Sequence, residues 1–237
     1  TSVLRDRSGI IWVGTWDAGL DRYDPATGIF SHFPYDPADP TSLSDNAVMM
    51  VTADRNGDLW IGTLAGGLNR FDRATGSFTR YQSDAGNPQS LPANGITAVL
   101  LDQAGRLWVG ALGGGLAHLN TDTGEAVHYN IADGLPSDSV FSILEDDRGQ
   151  LWLSTSNGLS RFEPDAETFR NYDMADGLPG NVFEASTAFQ SSSGEMFFGA
   201  SNGLLAFYPD QIRDNLIAPP VVITDLLLAN NPVPIGG

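Results

Sequence analysis

The 237-residue chain contains no cysteine and no lysine. Lack of cysteine removes disulfides, a thiol nucleophile and thiolate metal sites, and fits a periplasmic or a cytoplasmic protein equally well. Lack of lysine removes Schiff-base chemistry and a lysine general base, and makes all 12 cations arginine. Against 29 acidic residues they leave a formal charge of −17, a field that opposes nucleic acid and anionic lipid, so neither is expected as a partner. No apolar run reaches the ~18 residues that a bilayer-crossing helix needs, and no signal-peptide pattern opens the chain. What the chain has in excess is turn-forming residues, 27 Gly and 14 Pro.

One phrase recurs between these turns. "DRNGDLWIGT" (54–63) returns as "DRSGIIWVGT" (6–15), "DQAGRLWVGA" (102–111), "DDRGQLWLST" (146–155) and, altered, "SSSGEMFFGA" (191–200). Its anchors Trp12, Trp60, Trp108, Trp152 and Phe197 are spaced 48, 48, 44 and 45 residues apart, a period that marks a repeat architecture. In the second unit, an apolar run (47–53) is followed by "DRNG", a type I turn with Asp54 first and Gly57 fourth. Strands then follow over 58–63, 67–72 and 77–82, separated by short turns. Four strands and their connections fill about 45 residues, so each unit reads as a four-stranded antiparallel meander.

Leu59, Trp60 and Ile61 are consecutive apolar residues, as are Leu107, Trp108 and Val109. Both faces of this strand must therefore be covered. With no helical periodicity between the runs, radially stacked sheets remain, an all-β fold of the β-propeller type. Five blades are expected over 1–213, either as a closed five-bladed ring or as part of a larger propeller. In the second case the end sheets expose edges and apolar faces, which predicts a homodimer or edge-paired oligomer.

The recurrent "DxxGxLWxGTxxGGLxRFDxxTGxFxxY", with linkers such as "DPADPTSLSDNAV" and "ADGLPSDSV", resembles the two-component regulator propeller repeat. The closing "PPVVITDLLLANNPV" resembles the first strand of the three-tyrosine Ig-like domain that follows such propellers, giving a linker and Ig-like start over 214–237. The resemblance implies a non-catalytic sensory input, periplasmic, in a membrane-spanning receptor. Its output is implied to be a histidine kinase, a hybrid two-component system or a diguanylate cyclase, downstream in the same chain. The alternative is a stand-alone propeller lectin, hydrolase or lyase.

The conspicuous residues divide between fold and function. Asp6, Asp54, Asp102 and Asp146 could be calcium ligands, but each turn offers too few oxygens, so turn chemistry is the expectation. The second-strand tryptophans are expected in the core, and Gly14, Gly62, Gly110 and Gly199 where a side chain would meet a neighbouring strand or blade. Arg22, Arg70 and Arg161 are expected to pair with acidic neighbours. His32, His118 and His128 are scattered, so no catalytic set, no metal site and no cofactor are expected.

Ligand contacts are sought instead where the repeat varies, on the face holding the turn between second and third strands and the linkers entering each first strand. This selects Trp16, Asp17, Asn46, Asn94, Asp138, Asn157, Asn181, Glu184 and Asn202. Aromatic, amide and carboxylate groups together suit an oligosaccharide or another polar small molecule. For Asn157 and Asn202 the competing expectation is that Asn before Gly supplies a positive φ.

Overall fold

A computed structural model describes residues 2–54, 57–213, 227–228 and 231–232. The first blade contains β1 (Ser2–Arg5), β2 (Ile11–Gly14), β3 (Leu20–Asp24) and β4 (Ile29–Phe33). The second contains β5 (Val48–Ala53), β6 (Leu59–Thr63), β7 (Leu68–Asp72) and β8 (Ser77–Tyr81). In the third are β9 (Ile96–Leu101), β10 (Leu107–Ala111), β11 (Gly115–Leu119) and β12 (Ala126–Tyr129). The fourth is formed by β13 (Val140–Glu145), β14 (Leu151–Thr155), β15 (Gly158–Glu163) and β16 (Thr168–Tyr172). The fifth shows β17 (Phe183–Gln190), β18 (Met196–Ala200) and β19 (Gly203–Phe207) among the described residues. Every sheet is an antiparallel meander in chain order, and the five are arranged in a ring as a β-propeller. The proposed Ig-like strand falls mostly outside the described residues; Leu227–Leu228 pairs there with Asn231–Pro232.

Alternation along the second strands explains why three apolar residues run together. Leu59 and Ile61 join Trp12, Leu20 and Phe71 in the core between blades 1 and 2, while Trp60 points the other way, to Ile96, Leu107 and Val109 of blade 3. Trp108 packs toward blade 4 with Val140, Leu151 and Phe162, and Trp152 toward blade 5 with Phe183, Met196 and Phe198. The second, third and fourth wedges are thus covered on both sides, and the first four anchors are 1–3% exposed. Aromatic edges close the contacts: Trp12 meets Phe71 at 5.3 Å, Trp108 meets Phe162 at 5.5 Å and Trp152 meets Phe207 at 4.8 Å between ring centroids. On the end sheets Val3, Phe189 and Leu204 remain more than 60% exposed.

Close approach of blades accounts for the glycine after the tryptophan. A Cβ on Gly62 would lie 2.9 Å from Ile96 Cγ2 and from the Ile96 carbonyl of the next blade, and 2.9 Å from Met50 Cγ. Gly62→Ala is therefore expected to destabilise the protein by about 1–3 kcal/mol; an unchanged urea midpoint would contradict this contact.

The fifth inner strand departs from the repeat. Phe183 pairs with Ala200, but the ladder resumes only at Ala188 opposite Phe198, so a wide bulge intervenes. At its tip Ser186 has φ 58°, and its hydroxyl donates across to the Thr97 carbonyl of blade 3 at 3.4 Å. The axial cavity, about 220 Å³, is lined by the inner strands and by Ser186 itself.

Candidate functional site

The β2–β3 turns and the linkers between blades lie on one face, as their hydrogen bonds show. Gly19 N donates to the Asn46 carbonyl (3.0 Å), Gly67 N to Asn94 (2.9 Å), Gly115 N to Asp138 (2.7 Å) and Gly158 N to Asn181 (2.6 Å). The side chains of those four acceptors are committed in a second repeated bond. Asn46 Oδ1 accepts from Tyr35 N (2.7 Å), Asn94 Oδ1 from Ser83 N (2.7 Å), Asp138 Oδ1 from Ile131 N (2.9 Å) and Asn181 Oδ1 from Met174 N (3.0 Å). Each stitches its linker to its blade, one bond at a half-buried position and three at exposed ones.

Asn157 and Asn202 also repeat one duty. Asn157 Nδ2 donates to the Pro136 carbonyl at 3.2 Å, and Asn202 Nδ2 to the Pro179 carbonyl. The expectation of a positive φ at these asparagines is corrected. Among the described non-glycine residues only Glu167 and Ser186 have one; in the fourth blade the left-handed position is Gly158, φ 101°, where the missing Cβ makes it cheap. Glu184 Oε1 accepts from Ser201 Oγ at 3.1 Å. Trp16, 58% exposed, and Asp17 beside it stand at the tip of the first blade's turn. The nine candidates are thus distributed blade by blade around one rim, and Trp16 with Asp17 form its most accessible aromatic and carboxylate pair.

The opposite face carries a feature that the sequence reading missed. Each turn aspartate accepts both from backbone N–H groups and from the tryptophan indole six residues on. Asp6 Oδ2 accepts from Trp12 Nε1 (2.9 Å), Asp54 from Trp60 (3.2 Å), Asp102 from Trp108 (2.8 Å) and Asp146 from Trp152 (2.9 Å). The signal was present in the chain: in the fifth unit Asp and Trp are lost together, replaced by Ser191 and Phe197.

The arginines settle as the expectation had it. Arg70 Nη2 lies 2.5 Å from Asp58, Arg22 3.7 Å from Asp24 and Arg161 4.0 Å from Glu163. Arg70 and Arg161 also lie over the Trp60 and Trp152 rings, at 5.8 and 5.9 Å. Across the blade junctions, Arg73 reaches Asp6 (2.8 Å), and Arg106 spans Asp102 (2.7 Å) and Asp165 (2.9 Å). Burial alone pushes the Asp6 carboxyl up, but hydrogen bonds from Ser8, Trp12 and Arg73, with the Arg73 charge, outweigh it and hold it well below the ordinary carboxylate range. Asp102 is lowered in the same way, desolvation being overcome by Trp108 and Arg106. Burial, then the Arg106 charge, push the His118 imidazole down. His32 stands in blade 1, and His118 and His128 on adjacent strands of blade 3, each with its own contact: His32 bonds Asp21, His128 bonds the Ser90 carbonyl, and His118 packs on Trp108 at 5.1 Å.

The architecture defines the class, a β-propeller whose rim turns and inter-blade junctions carry the variable chemistry. Three of its segments, residues 42–65, 90–113 and 134–157, match the two-component regulator propeller family. Histidine kinase P4 of Formosa agariphila is 36% identical over 105 residues, 44% of this chain and 8% of that protein. The extracellular domain of the putative hybrid two-component system BT3049 from B. thetaiotaomicron superposes with a TM-score of 0.74 at 29% identity, covering 90% of this chain and 28% of that one. That of BT4673 gives 0.74 at 26% identity, with 89% and 29% coverage. The chain therefore spans less than a third of the length of each of these three relatives. It is similar to extracellular domains of two-component receptors, and no helix among the described residues is long and apolar enough to cross a membrane.

Proposed function

We propose that this propeller is a non-catalytic sensory input module of a membrane-spanning two-component receptor, placed in the periplasm, and that it takes a carbohydrate or similarly polar ligand on the rim bearing Trp16 and Asp17. The observation carrying the reading is the 29% identity, sustained over 90% of the chain, with the extracellular domain of BT3049. Trp16 offers an exposed face for stacking on a sugar ring, and Asp17 an acceptor for hydroxyls. Signalling then requires that the ligand favour one arrangement of the receptor over another, since a ligand with no such preference shifts nothing.

A thermal-shift screen against oligosaccharides tests the reading. At least one glycan is expected to raise the melting temperature in a saturable way, and Trp16→Ala combined with Asp17→Asn to abolish the rise without lowering the melting temperature of the free protein. A stabilising glycan indifferent to both substitutions would move the site elsewhere; no response to any polar ligand would remove direct sensing.

A further inference from the structure

On the rim opposite Trp16 the turn aspartate of a blade stands at the junction with the next, and at two junctions an arginine of the chain bonds it. Between blades 3 and 4 the Arg106 guanidinium lies between two carboxylates, Asp102 Oδ2 of its own blade at 2.7 Å and Asp165 Oδ1 of the next at 2.9 Å. It also covers the Trp108 ring at 5.7 Å. Between blades 1 and 2 the equivalent carboxylate, Asp6, receives Arg73 from the following blade at 2.8 Å. Where Asp58 stands in the Arg106 position, between blades 2 and 3, Arg70 reaches it instead.

The junction of blades 4 and 5 keeps the carboxylates and has no arginine at the position equivalent to Arg106. Aligning "RFEPD" (161–165) with "AFYPD" (206–210) makes Asp210 the counterpart of Asp165, and Asp146 that of Asp102. In place of Arg106 stands Gln150, whose Nε2 turns aside to donate to Glu163 Oε1 at 2.9 Å. A cleft of about 120 Å³ occupies the junction, lined among others by Asp146, Asp210, Tyr208, Gln190 and Arg148. Asp146 is buried. Its Oδ1 accepts from Arg148 N and Gln150 N, and its Oδ2 from the Trp152 indole, the counterpart of the oxygen that also accepts Arg106 in blade 3. Among the described residues neither Asp146 nor Asp210 enters a salt bridge, and the Arg148 side chain enters none either.

We propose that the cleft between blades 4 and 5 is a seat for a guanidinium group supplied in trans, by a small guanidino compound or by the arginine of a peptide. The planar, forked donor set of guanidinium suits two carboxylates approached from two sides, as Arg106 shows within the same chain. A hard divalent cation fits less well, because it needs about six oxygen ligands, and the cleft's carboxylates, Asp146, Asp147 and Asp210, are not among any group of three or more His, Asp or Glu side chains placed to hold a metal ion in the described residues. Tyr208 contributes the aromatic wall that Trp108 gives Arg106.

The experiment is a titration of the protein, followed by the ¹⁵N–¹H indole signals of its five tryptophans, of which Trp152 reports directly because its N–H is bonded to Asp146. N-acetylarginine amide is expected to shift the Trp152 signal in a saturable way, and its neutral citrulline isostere to leave it in place. Asp210→Asn, on an exposed turn, is expected to weaken the response about tenfold or more. Gln150→Arg, which restores the guanidinium in cis, is expected to abolish the response and raise the melting temperature. Tighter binding of the tripeptide Gly-Arg-Gly assigns the seat to a peptide arginine, and equal binding to a small guanidino compound. No saturable shift, an equal response to citrulline, or a response unchanged by both substitutions overturns the proposal.

Discussion

Replacing Trp108 by alanine is expected to destabilise the protein by about 3–5 kcal/mol, the range for removing a large buried aromatic side chain. The residue is 1% exposed and serves both packing and hydrogen bonding. Its ring fills the junction of blades 3 and 4 against Phe162 and Tyr129, and its indole N–H satisfies Asp102. Alanine therefore leaves both a cavity and a buried carboxylate short of one donor. Trp108→Phe keeps most of the volume and loses only the donor, so its cost should fall clearly below that of alanine. Urea unfolding of the two variants separates the terms; equal costs would mean that the indole hydrogen bond, and not the packing, governs the site.

The second large effect concerns acid. Asp6 and Asp102 both have carboxyls held below their ordinary range in the folded protein. A group whose folded pKa is depressed contributes stability that is present above its unfolded pKa, near 3.8 for these aspartates, and that is lost as pH falls through the folded value. Stability from these junctions is thus expected to hold at neutral pH and to decline below about pH 4. Asp102→Asn should remove much of that decline contributed by its own junction. It should also cost about 3 kcal/mol at pH 7, because Arg106 loses a buried ionic partner. Urea midpoints of both proteins measured from pH 7 to pH 3 check this; parallel curves would assign the acid sensitivity to other carboxylates.

The architecture was legible because its determinants are local and periodic. The 44-to-48-residue spacing, the DxxG turn and the consecutive Leu59, Trp60 and Ile61 each specify a blade whose two flanks are buried. Gly62 was legible for the same reason, since a residue missing its side chain at a repeated place announces a close neighbour. The rim was harder to read. Asn46, Asn94, Asp138 and Asn181 have the side chains a sugar-binding protein would use, yet the same oxygens serve backbone N–H groups of the linkers, and composition alone cannot separate the two uses. Asn157 and Asn202 hold proline carbonyls, a task that the left-handed reading of Asn-Gly obscures. Six-residue coupling of Asp to Trp was visible in principle, through their joint loss at Ser191 and Phe197, but it becomes meaningful only once the turn brings them together. The bulge in β17 had no local sign, because 183–190 reads as an ordinary strand until its partner is known.

Interdigitated wedges have a mechanical consequence. Each of the four buried junctions is owned jointly by two sheets, so no single sheet can rotate without dragging its neighbour's tryptophan pocket with it. Any displacement of the first wedge relative to the last would have to be taken up at the pockets of Trp12, Trp60, Trp108 and Trp152. The bulge tip at Ser186, which bonds across the axis to the third wedge, offers a shortcut that bypasses the fourth. Such a body is braced twice, by its shared tryptophan pockets and by the bond across its axis.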